Sequence, residues 1–504
     1  MRRRYTCIHS QQRRKPRKIL TILERHGAVV PRRAACYNGV AMNWWKENKL
    51  QRRLYVCVAV LFTAVFAWYA LSQASTLAGL AAAGLSCLLF ALCALRALDS
   101  ALAFFTSEPL PSPDSRLGRR SLRRDKRHPW ARIALFMLIT RLFLFAVAYA
   151  FHAAGGVYEG GIWDTLQACW LKSDSPSYLG IAENWYVTEG DPRFHIVFFP
   201  FYPICIAALN FLTGNSFVSA MLVSSLCAIG AAILVYELAA LDYERETALR
   251  AVKFLFLTPA AFFFAAPMTE SLFLLCSLAC VYLVRRKHYL WGCLFGALAA
   301  FTRSLGALLL AFVFVEWLYD LLRAKRMETF PAERKTLIRQ GLCMLLVPLG
   351  LAGYVYINYA VTGDPFKFMQ YQREHWSQGF GLFFDTAAYQ TEYALSTAAE
   401  GNLRQIFGLW LPNLVYSFGA LGLMAAAAKR LRPSYMAYFL AYFVIAIGAT
   451  WLLSAPRYLA ACFPLALALA ALADTRRKDT FFTFVSLAGL VAYLAMYVNG
   501  YPVY

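Results

Sequence analysis

The chain has 504 residues, of which 60% are hydrophobic and only 15% charged, and its mean hydropathy is +0.48. Soluble domains contain about 45–50% apolar and about 25% charged residues, so this composition excludes an ordinary soluble enzyme and indicates a membrane protein. The net charge of +22 is compatible with nucleic acid, anionic lipid or cytosolic loops, and only its distribution along the chain separates these explanations.

The positive charge is concentrated at the N-terminus, where residues 1–52 form a basic tail. The first 53 residues carry fifteen Lys or Arg against Glu24 and Glu47. A basic segment ahead of the first apolar run is typical of the cytosolic side of a membrane, and no nucleic-acid-binding motif surrounds it. We therefore predict membrane lipids, and not nucleic acid, as the partner of the tail. Met42, followed by Asn-Trp-Trp-Lys, offers an alternative start of translation.

Apolar windows of about 20 residues predict thirteen transmembrane helices. With this number, the five basic loops that follow the tail all face the cytosol, the N-terminus lies inside and the C-terminus outside. The predicted spans are 53–73, 76–95, 130–152, 216–240, 250–267, 270–285, 289–302, 304–323, 339–360, 403–427, 434–453, 456–473 and 480–499.

One apolar run, 196–212, is not counted as a span, because including it would move every later basic loop to the outside. It begins with Phe-Phe-Pro-Phe-Tyr-Pro, so we predict a helix that lies in, or dips into, the outer leaflet. Two long loops, 153–196 and 361–402, then face outward. The first carries six acidic residues against two basic ones, and these outer loops are where we expect the chemistry.

The most informative stretch of the first outer loop is Asp174-Ser-Pro-Ser-Tyr178. Pro176 suits the first position of a short helix, which would place Asp174 at the helix start and at the level of the lipid headgroups. A carboxylate there can act as a general base toward an acceptor hydroxyl, or it can simply cap the helix. Asp164 is the second candidate for the base.

Charged residues inside or at the ends of predicted spans are the next signal, because each is costly in a bilayer. Arg141 lies within a span, whereas Arg303 and Arg457 lie at outer junctions, where guanidinium groups can hold a phosphate or snorkel to headgroups. Glu270 is either a first-turn carboxylate behind an N-capping Thr269 or a second functional carboxylate.

His195 precedes the Phe-Phe-Pro motif and is either a donor to a phosphate or sugar oxygen or a solvated loop residue. Outer-loop aromatic residues fit sugar stacking, although aromatic belts place the same residues at membrane interfaces. Trp170, Tyr178 and Tyr202 are the candidates to line a substrate site. The thirteen cysteines show no metal-ligand spacing, and no metal or cofactor is predicted.

In this order the motifs resemble the mannosyltransferase family of glycosylphosphatidylinositol mannosyltransferase II, the PIG-V-like group. The resemblance covers about residues 130–470. It rests on Asp174-Ser-Pro-Ser-Tyr178-Leu-Gly-Ile-Ala with Tyr186, on Phe198-Phe-Pro-Phe-Tyr-Pro203, on Pro259 with Thr269-Glu-Ser-Leu-Phe273, on Thr302-Arg303, and on Arg457-Tyr458 with Phe463-Pro464.

The resemblance implies a GT-C type membrane glycosyltransferase: an all-α multi-pass fold of about 13 transmembrane helices with outer-face juxtamembrane helices. The GT-C-like catalytic domain would be 129–473. Two extra spans and a basic cytosolic loop (53–128) precede it, and the last span with a short outer C-terminus (474–504) follows.

The resemblance also implies the reaction. A sugar, in this family mannose, is transferred with inversion from a polyprenyl- or dolichyl-phosphate donor to an acceptor hydroxyl of a glycolipid or glycan on the outer or lumenal face. Carried over to this chain, Asp174 is the general base, and Arg303 and Arg457 hold the donor phosphate, with His195 as a further candidate.

Two departures from the family pattern, Asn184-Trp185-Tyr186 and Met268-Thr-Glu-Ser271, leave the acceptor open. The sequence is closer in style to bacterial members, which predicts a bacterial cell membrane, or the endoplasmic reticulum membrane if the protein is eukaryotic. The alternative function is a multi-pass transporter or lipid flippase, because such proteins also use intramembrane Arg and Glu. A purely scaffolding role leaves the charged outer residues unexplained.

Overall fold

The computed structural model describes residues 49–72, 76–107, 128–156 and 160–504. The basic tail up to residue 48, with Met42, and most of the basic loop before residue 128 lie outside the described residues. One compact unit covers Val60–Tyr504 and contains every contact discussed below. The other unit, Met1–Ala59, is described only from Lys49, where the first helix begins.

The described chain contains twenty α-helices of six or more residues and one single-turn helix, Leu403–Gln405, and the short connections include several 3-10 turns and one π-helical turn. The helices are α1 (Lys49–Ser72), α2 (Leu77–Thr106), α3 (Trp130–Ala154), α4 (Ile162–Trp170), α5 (Ser175–Asn184), α6 (Phe201–Thr213), α7 (Ser216–Asp242), α8 (Arg245–Leu257), α9 (Glu270–Arg285), α10 (Tyr289–Thr302), α11 (Leu309–Arg326), α12 (Phe330–Cys343), α13 (Leu349–Thr362), α14 (Lys367–Trp376), α15 (Phe383–Ala399), α16 (Leu411–Ala427), α17 (Pro433–Ile447), α18 (Ala455–Ala460), α19 (Pro464–Leu472) and α20 (Arg476–Val498).

The predicted all-α multi-pass membrane fold is confirmed. Within the described ranges the only β-structure is an isolated bridge between Phe380 and Ala449. Eight helices of the described chain are long and apolar enough to cross a membrane. They match eight of the thirteen predicted spans, and run over Arg52–Ser72, Leu77–Thr106, Trp130–Ala154, Ser216–Asp242, Ser304–Arg326, Phe330–Thr362, Leu403–Arg430 and Arg476–Val498.

The other five predicted spans are not long continuous helices. Predicted spans 270–285 and 289–302 are the short helices α9 and α10, and 434–453 stops early, at Ile447 in α17. The remaining two, 250–267 and 456–473, are broken. Hydropathy windows register apolar composition and do not detect where the backbone leaves the helix.

Proline explains the two broken spans. α8 ends at Leu257 because Pro259 lacks an amide hydrogen and holds the preceding Thr258 in an extended conformation. The segment 456–473 is divided between α18 and α19, and Pro464 opens the second helix. These breaks leave short non-helical segments within apolar runs. Residues of the candidate site lie beside these segments.

The run 196–212 is also broken. A 3-10 turn, Asp191–Val197, meets α6 at an angle of 111°. α6 itself has 13 residues, fewer than the roughly 20 that a membrane span needs. The bend agrees with the two prolines in the motif, and the placement of α6 in the outer leaflet stays a prediction.

Helix α9 carries an ionic network at each end. At its C-terminus, Arg285 donates to both carboxylate oxygens of Asp242 at 2.7 Å. Beside it, Arg432 holds the buried Glu316 through two hydrogen bonds of 2.6 and 3.0 Å, and Ser434 donates a third to Glu316 at 2.7 Å. We call these residues the Glu316 network. Its pairing ties α7, α9, α11 and α17 together.

The Glu316 network predicts a large loss of stability on Glu316→Gln. The change leaves Arg432 buried without its counter-charge, which costs about 3–5 kcal/mol. The matched control is Glu333→Gln, whose pair with Arg323 is 3.8 Å long and about one-third exposed on each side. Such a pair contributes about 0–1 kcal/mol. Thermal unfolding in detergent measures both variants, and equal shifts would contradict the assigned role.

Candidate active site

Four of the predicted site residues, Asp174, Glu270, Arg303 and Arg457, meet in one cluster. Glu270 begins α9 and is fully buried. Its Oε1 accepts hydrogen bonds from Arg303 Nη1 and from Arg457 Nε. Arg457 extends further and donates through Nη1 to Asp174 Oδ2 at 2.5 Å. We call these four residues the ionic cluster, a chain of alternating charge that leads from the protein interior to Asp174.

Burial falls along this chain. The Glu270 side chain is 0% exposed and Arg457 4%, whereas Arg303 is 13% and Asp174 32% exposed. The inner residues are therefore desolvated, and the outermost carboxylate is the one that a ligand can reach. Glu270 Oε2 is buried and has no hydrogen-bond partner.

Asp174 is held by ion pairing and not by helix capping. It occupies the N-cap position of α5, yet its side chain makes no capping hydrogen bond. The preceding Ser173 has φ of +53°, a left-handed conformation that costs a non-glycine residue about 1–2 kcal/mol. Before it, Lys172 donates from Nζ to the carbonyls of Tyr497 and Val498 at 3.1 and 2.6 Å. The anchored lysine and the left-handed serine together direct Asp174 toward Arg457.

The helix-capping explanation for Thr269 is wrong in the same way. The Thr269 side chain makes no capping hydrogen bond, and its Oγ1 accepts from Arg303 Nη1 at 3.1 Å. Arg303 also lies over the Tyr458 ring, 4.9 Å from its centroid. Because both cluster arginines are turned inward onto Glu270, neither snorkels toward headgroups.

Arg141 lies within α3 and outside the cluster. Its Nη2 donates to the carbonyl of Ser224 at 3.2 Å and to the carbonyl of Phe264. Ser271 Oγ donates to the same Phe264 carbonyl at 2.7 Å. Arg141 thus fixes the turn that leads into α9 and supports the position of Glu270.

The structure does not join His195 or Asp164 to the ionic cluster. Asp164 Oδ2 accepts from Gly161 N at 3.0 Å, at the start of α4. Burial lowers the pKa of His195, which disfavours the cationic form of its imidazole. Among the described hydrogen bonds and ion pairs, none links either residue to the cluster.

The three predicted substrate-lining aromatics are packed inside the protein. Trp170 and Tyr202 are fully buried, and Tyr178 is 5% exposed. Tyr202 donates to the Ala220 carbonyl at 3.0 Å. Tyr178 packs edge-on against Tyr202, with ring centroids 5.5 Å apart, and burial raises its pKa, which keeps the hydroxyl protonated. Tyr178 and Tyr202 both lie close enough to Glu270 to interact with it electrostatically.

Sequence reasoning missed the partners that hold the cluster. Lys172 and Ser173 were visible only as ordinary loop residues, and Tyr458 only as part of the Arg457-Tyr458 motif with no role assigned. The pairing of Arg457 with Glu270 joins positions 187 residues apart. In the part of the chain that the structure describes, no group of three or more His, Cys, Asp or Glu is arranged to hold a metal ion.

Comparison with known proteins adds little to this geometry. No protein-family model matches the chain, and no curated protein sequence matches it. A solved structure, ArnT from Cupriavidus metallidurans bound to undecaprenyl phosphate, is similar with 16% identity and a TM-score of 0.44. The match covers 70% of this chain and spans 62% of the length of ArnT. The PIG-V-like resemblance has no family match behind it and stays a prediction.

The different burial of the two carboxylates predicts different effects on stability. Glu270→Gln removes the buried counter-charge of both arginines and is expected to lower the free energy of unfolding by about 3–5 kcal/mol. Asp174→Asn changes a partly exposed pair and is expected to cost about 1 kcal/mol or less. Thermal unfolding of the two variants in the same detergent measures the contrast, and the reverse order would refute this account of the cluster.

Proposed function

We propose that the protein is a GT-C type membrane glycosyltransferase that transfers a sugar from a polyprenyl- or dolichyl-phosphate donor to an acceptor hydroxyl. The observation that carries the proposal is the contact between Asp174 and Arg457, with Arg457 fixed from behind by the buried Glu270. It offers a reachable carboxylate base beside a preorganised guanidinium group, which is what a transfer with a phosphate leaving group needs.

The proposed step is a single inverting displacement. Asp174 removes the proton from the acceptor hydroxyl, the acceptor oxygen bonds to the anomeric carbon, and the bond from that carbon to the phosphate oxygen breaks. The electron pair leaves with the lipid phosphate. Arg457, and Arg303 behind it, stabilise the charge that develops on that phosphate.

Charge balance supports this assignment. The cluster holds two carboxylates and two guanidinium groups, so it is formally neutral before reaction. A lipid-phosphate sugar is a phosphodiester with one negative charge, and the released phosphate monoester carries about −1.5 to −2. Protonation of Asp174 removes a negative charge from the cluster just as the phosphate gains one. Arg457 is then released from Asp174 and free to pair with the product phosphate.

Several finer assignments belong to the proposal and rest on the family resemblance. These are mannose as the sugar, a glycolipid or glycan as the acceptor, the outer or lumenal face as the site of reaction, and a bacterial cell membrane as the location. His195 is proposed at most as a neutral hydrogen-bonding residue near the donor. The transporter or flippase alternative has no specific contact that favours it over the enzyme.

Asp174→Asn is expected to abolish sugar transfer while the protein still folds and inserts, because the amide cannot accept the acceptor proton. The measurement is incubation of membranes with labelled polyprenyl-phosphate mannose, followed by identification of the labelled product. Asp164→Asn is the matched control, since Asp164 only accepts a backbone hydrogen bond at the start of α4. Full activity of Asp174→Asn would overturn the base assignment. Lipid movement without any covalent sugar product would favour the flippase.

Arg457→Lys is expected to raise KM for the donor by about tenfold or more, because one ammonium group cannot replace a fork that binds Glu270 and a second anion together. Arg404→Lys serves as the control, because Arg404 is exposed and donates only to the carbonyls of Asn499 and Gly500. Steady-state kinetics with varied donor distinguishes the two. An unchanged KM in Arg457→Lys would remove Arg457 from the donor site.

A further inference from the structure

Arg457 lies on a short helix that cannot hold its own position. α18 has six residues, well below the length at which an isolated helix is stable. The segment before it, 448–454, is largely non-helical. Two neighbouring helices contact α18 directly: Asn413 Oδ1 accepts a hydrogen bond from Ala455 N at 3.0 Å, and Tyr442 donates to the Tyr458 carbonyl at 2.8 Å. Asn413 Nδ2 also donates to the Leu452 carbonyl at 3.4 Å, and the second predicted outer loop supplies further polar contacts to the segment.

Helix α15, in that loop, holds the backbone of 447–452 along one side. Thr386 Oγ1 donates to the Ile447 carbonyl at 2.8 Å, and Gln390 Nε2 donates to the Leu452 carbonyl at 2.9 Å. Thr386 and Gln390 are four residues apart and therefore lie on the same face of the helix. Both are about 1% exposed. Tyr389 completes the contact by accepting from Leu452 N at 2.6 Å.

α15 also contacts the N-terminal helices α1 and α2. Tyr69 donates to Asp385 Oδ1 at 2.7 Å, and Glu392 Oε1 accepts from both the amide and the hydroxyl of Thr76, at 2.6 and 2.8 Å. Phe90 packs on Phe383 with ring centroids 4.6 Å apart. α15 is therefore fixed between the N-terminal helix pair and the segment that leads to Arg457.

We propose that α15 is the element that positions Arg457 in the ionic cluster, with Thr386 and Gln390 as its positioning residues. The two side chains act through the backbone of 447–452 and not by contact with substrate. The effect on KM for the donor rests on the proposed function, whereas the effect on the Arg457–Asp174 contact does not.

The experiment compares two substitutions of the same kind on the same helix. Thr386→Val removes the hydroxyl that binds Ile447, and Thr391→Val removes one that binds only within α15, to the Ala387 carbonyl at 2.8 Å. Gln390→Met adds an independent test, because Gln390 Oε1 has no hydrogen-bond partner among the described residues. The change removes the 2.9 Å hydrogen bond to the Leu452 carbonyl and leaves the 3.4 Å one from Asn413 Nδ2. Thr386→Ser retains the hydroxyl and is the rescue variant.

The first readout needs no substrate. Asp174 is labelled with a water-soluble carbodiimide and a glycine ester, and the modified peptide is quantified by mass spectrometry, with Arg457→Met as the reference for an unpaired Asp174. We expect Thr386→Val and Gln390→Met to raise the labelling rate about fivefold each, the equivalent of one hydrogen bond. Thr391→Val and Thr386→Ser should match the parent protein. Parent-like labelling in both Thr386→Val and Gln390→Met would overturn the proposal.

The second readout is steady-state kinetics with polyprenyl-phosphate mannose. We expect KM for the donor to rise about fivefold in Thr386→Val and Gln390→Met, while kcat stays within about twofold, since the loss is one of donor binding. A fall in kcat and unfolding temperature without a change in KM would mark a merely structural role and reject the proposal. If no lipid-phosphate sugar is a donor, the proposed function fails, and the labelling result still decides whether α15 positions Arg457.

Discussion

The buried carboxylate of Glu270 is the constraint on which the arrangement of this protein depends. A fully desolvated carboxylate is several kcal/mol unfavourable unless cations and hydrogen bonds surround it. Here two guanidinium groups meet its single oxygen Oε1. The arginines come from different segments, one between α10 and α11 and one on α18, so satisfying Glu270 fixes where those segments lie. Asp174 then takes its place on the remaining face of Arg457.

This constraint explains why the helices around the site are short or broken. A continuous span would satisfy its backbone polar groups within the helix, and its side chains would be spread along the length of the helix. The interruptions at Pro259 and before Pro464 instead bring helix ends close together, and charged side chains near those ends pair. The Glu316 network lies at the other end of α9, about 22 Å away along the helix. It is formed between unbroken helices, and its arginines are paired with Asp242 and Glu316. It serves as a stabilising counterpart without an exposed carboxylate.

The sequence predicted the composition-dependent features well and the pairings poorly. Hydropathy located eight of the spans because it measures apolar length, which is what a bilayer selects. It did not detect that the helix is interrupted near a proline in the apolar runs 250–267 and 456–473. Asp174, Glu270, Arg303 and Arg457 were identified individually as costly charges near a membrane, yet each had a local explanation, such as capping or snorkelling. Only the fold shows that these residues pair with one another instead, because the partners are up to 283 residues apart in the sequence.

The roles of Lys172, Ser173, Thr386 and Gln390 could not have been predicted in this way. Each acts through a backbone carbonyl or a backbone torsion, and a carbonyl group is present at every position of the chain. No residue pattern distinguishes the carbonyl of Leu452 from its neighbours. Such contacts depend on which loop lies beside which helix end, and that is a property of the tertiary structure alone.

The sequence separations within the ionic cluster also set an order for its assembly during synthesis. Glu270 and Arg303 are 33 residues apart, so they can pair as soon as α9 and α10 have left the ribosome. Arg457 is made much later, and until it arrives Asp174 has no cationic partner within the cluster. Before Arg457 is made, the Glu270 carboxylate therefore has one of its two arginine partners. Asp174 gains its ionic partner in the cluster only after residue 457 has been synthesised.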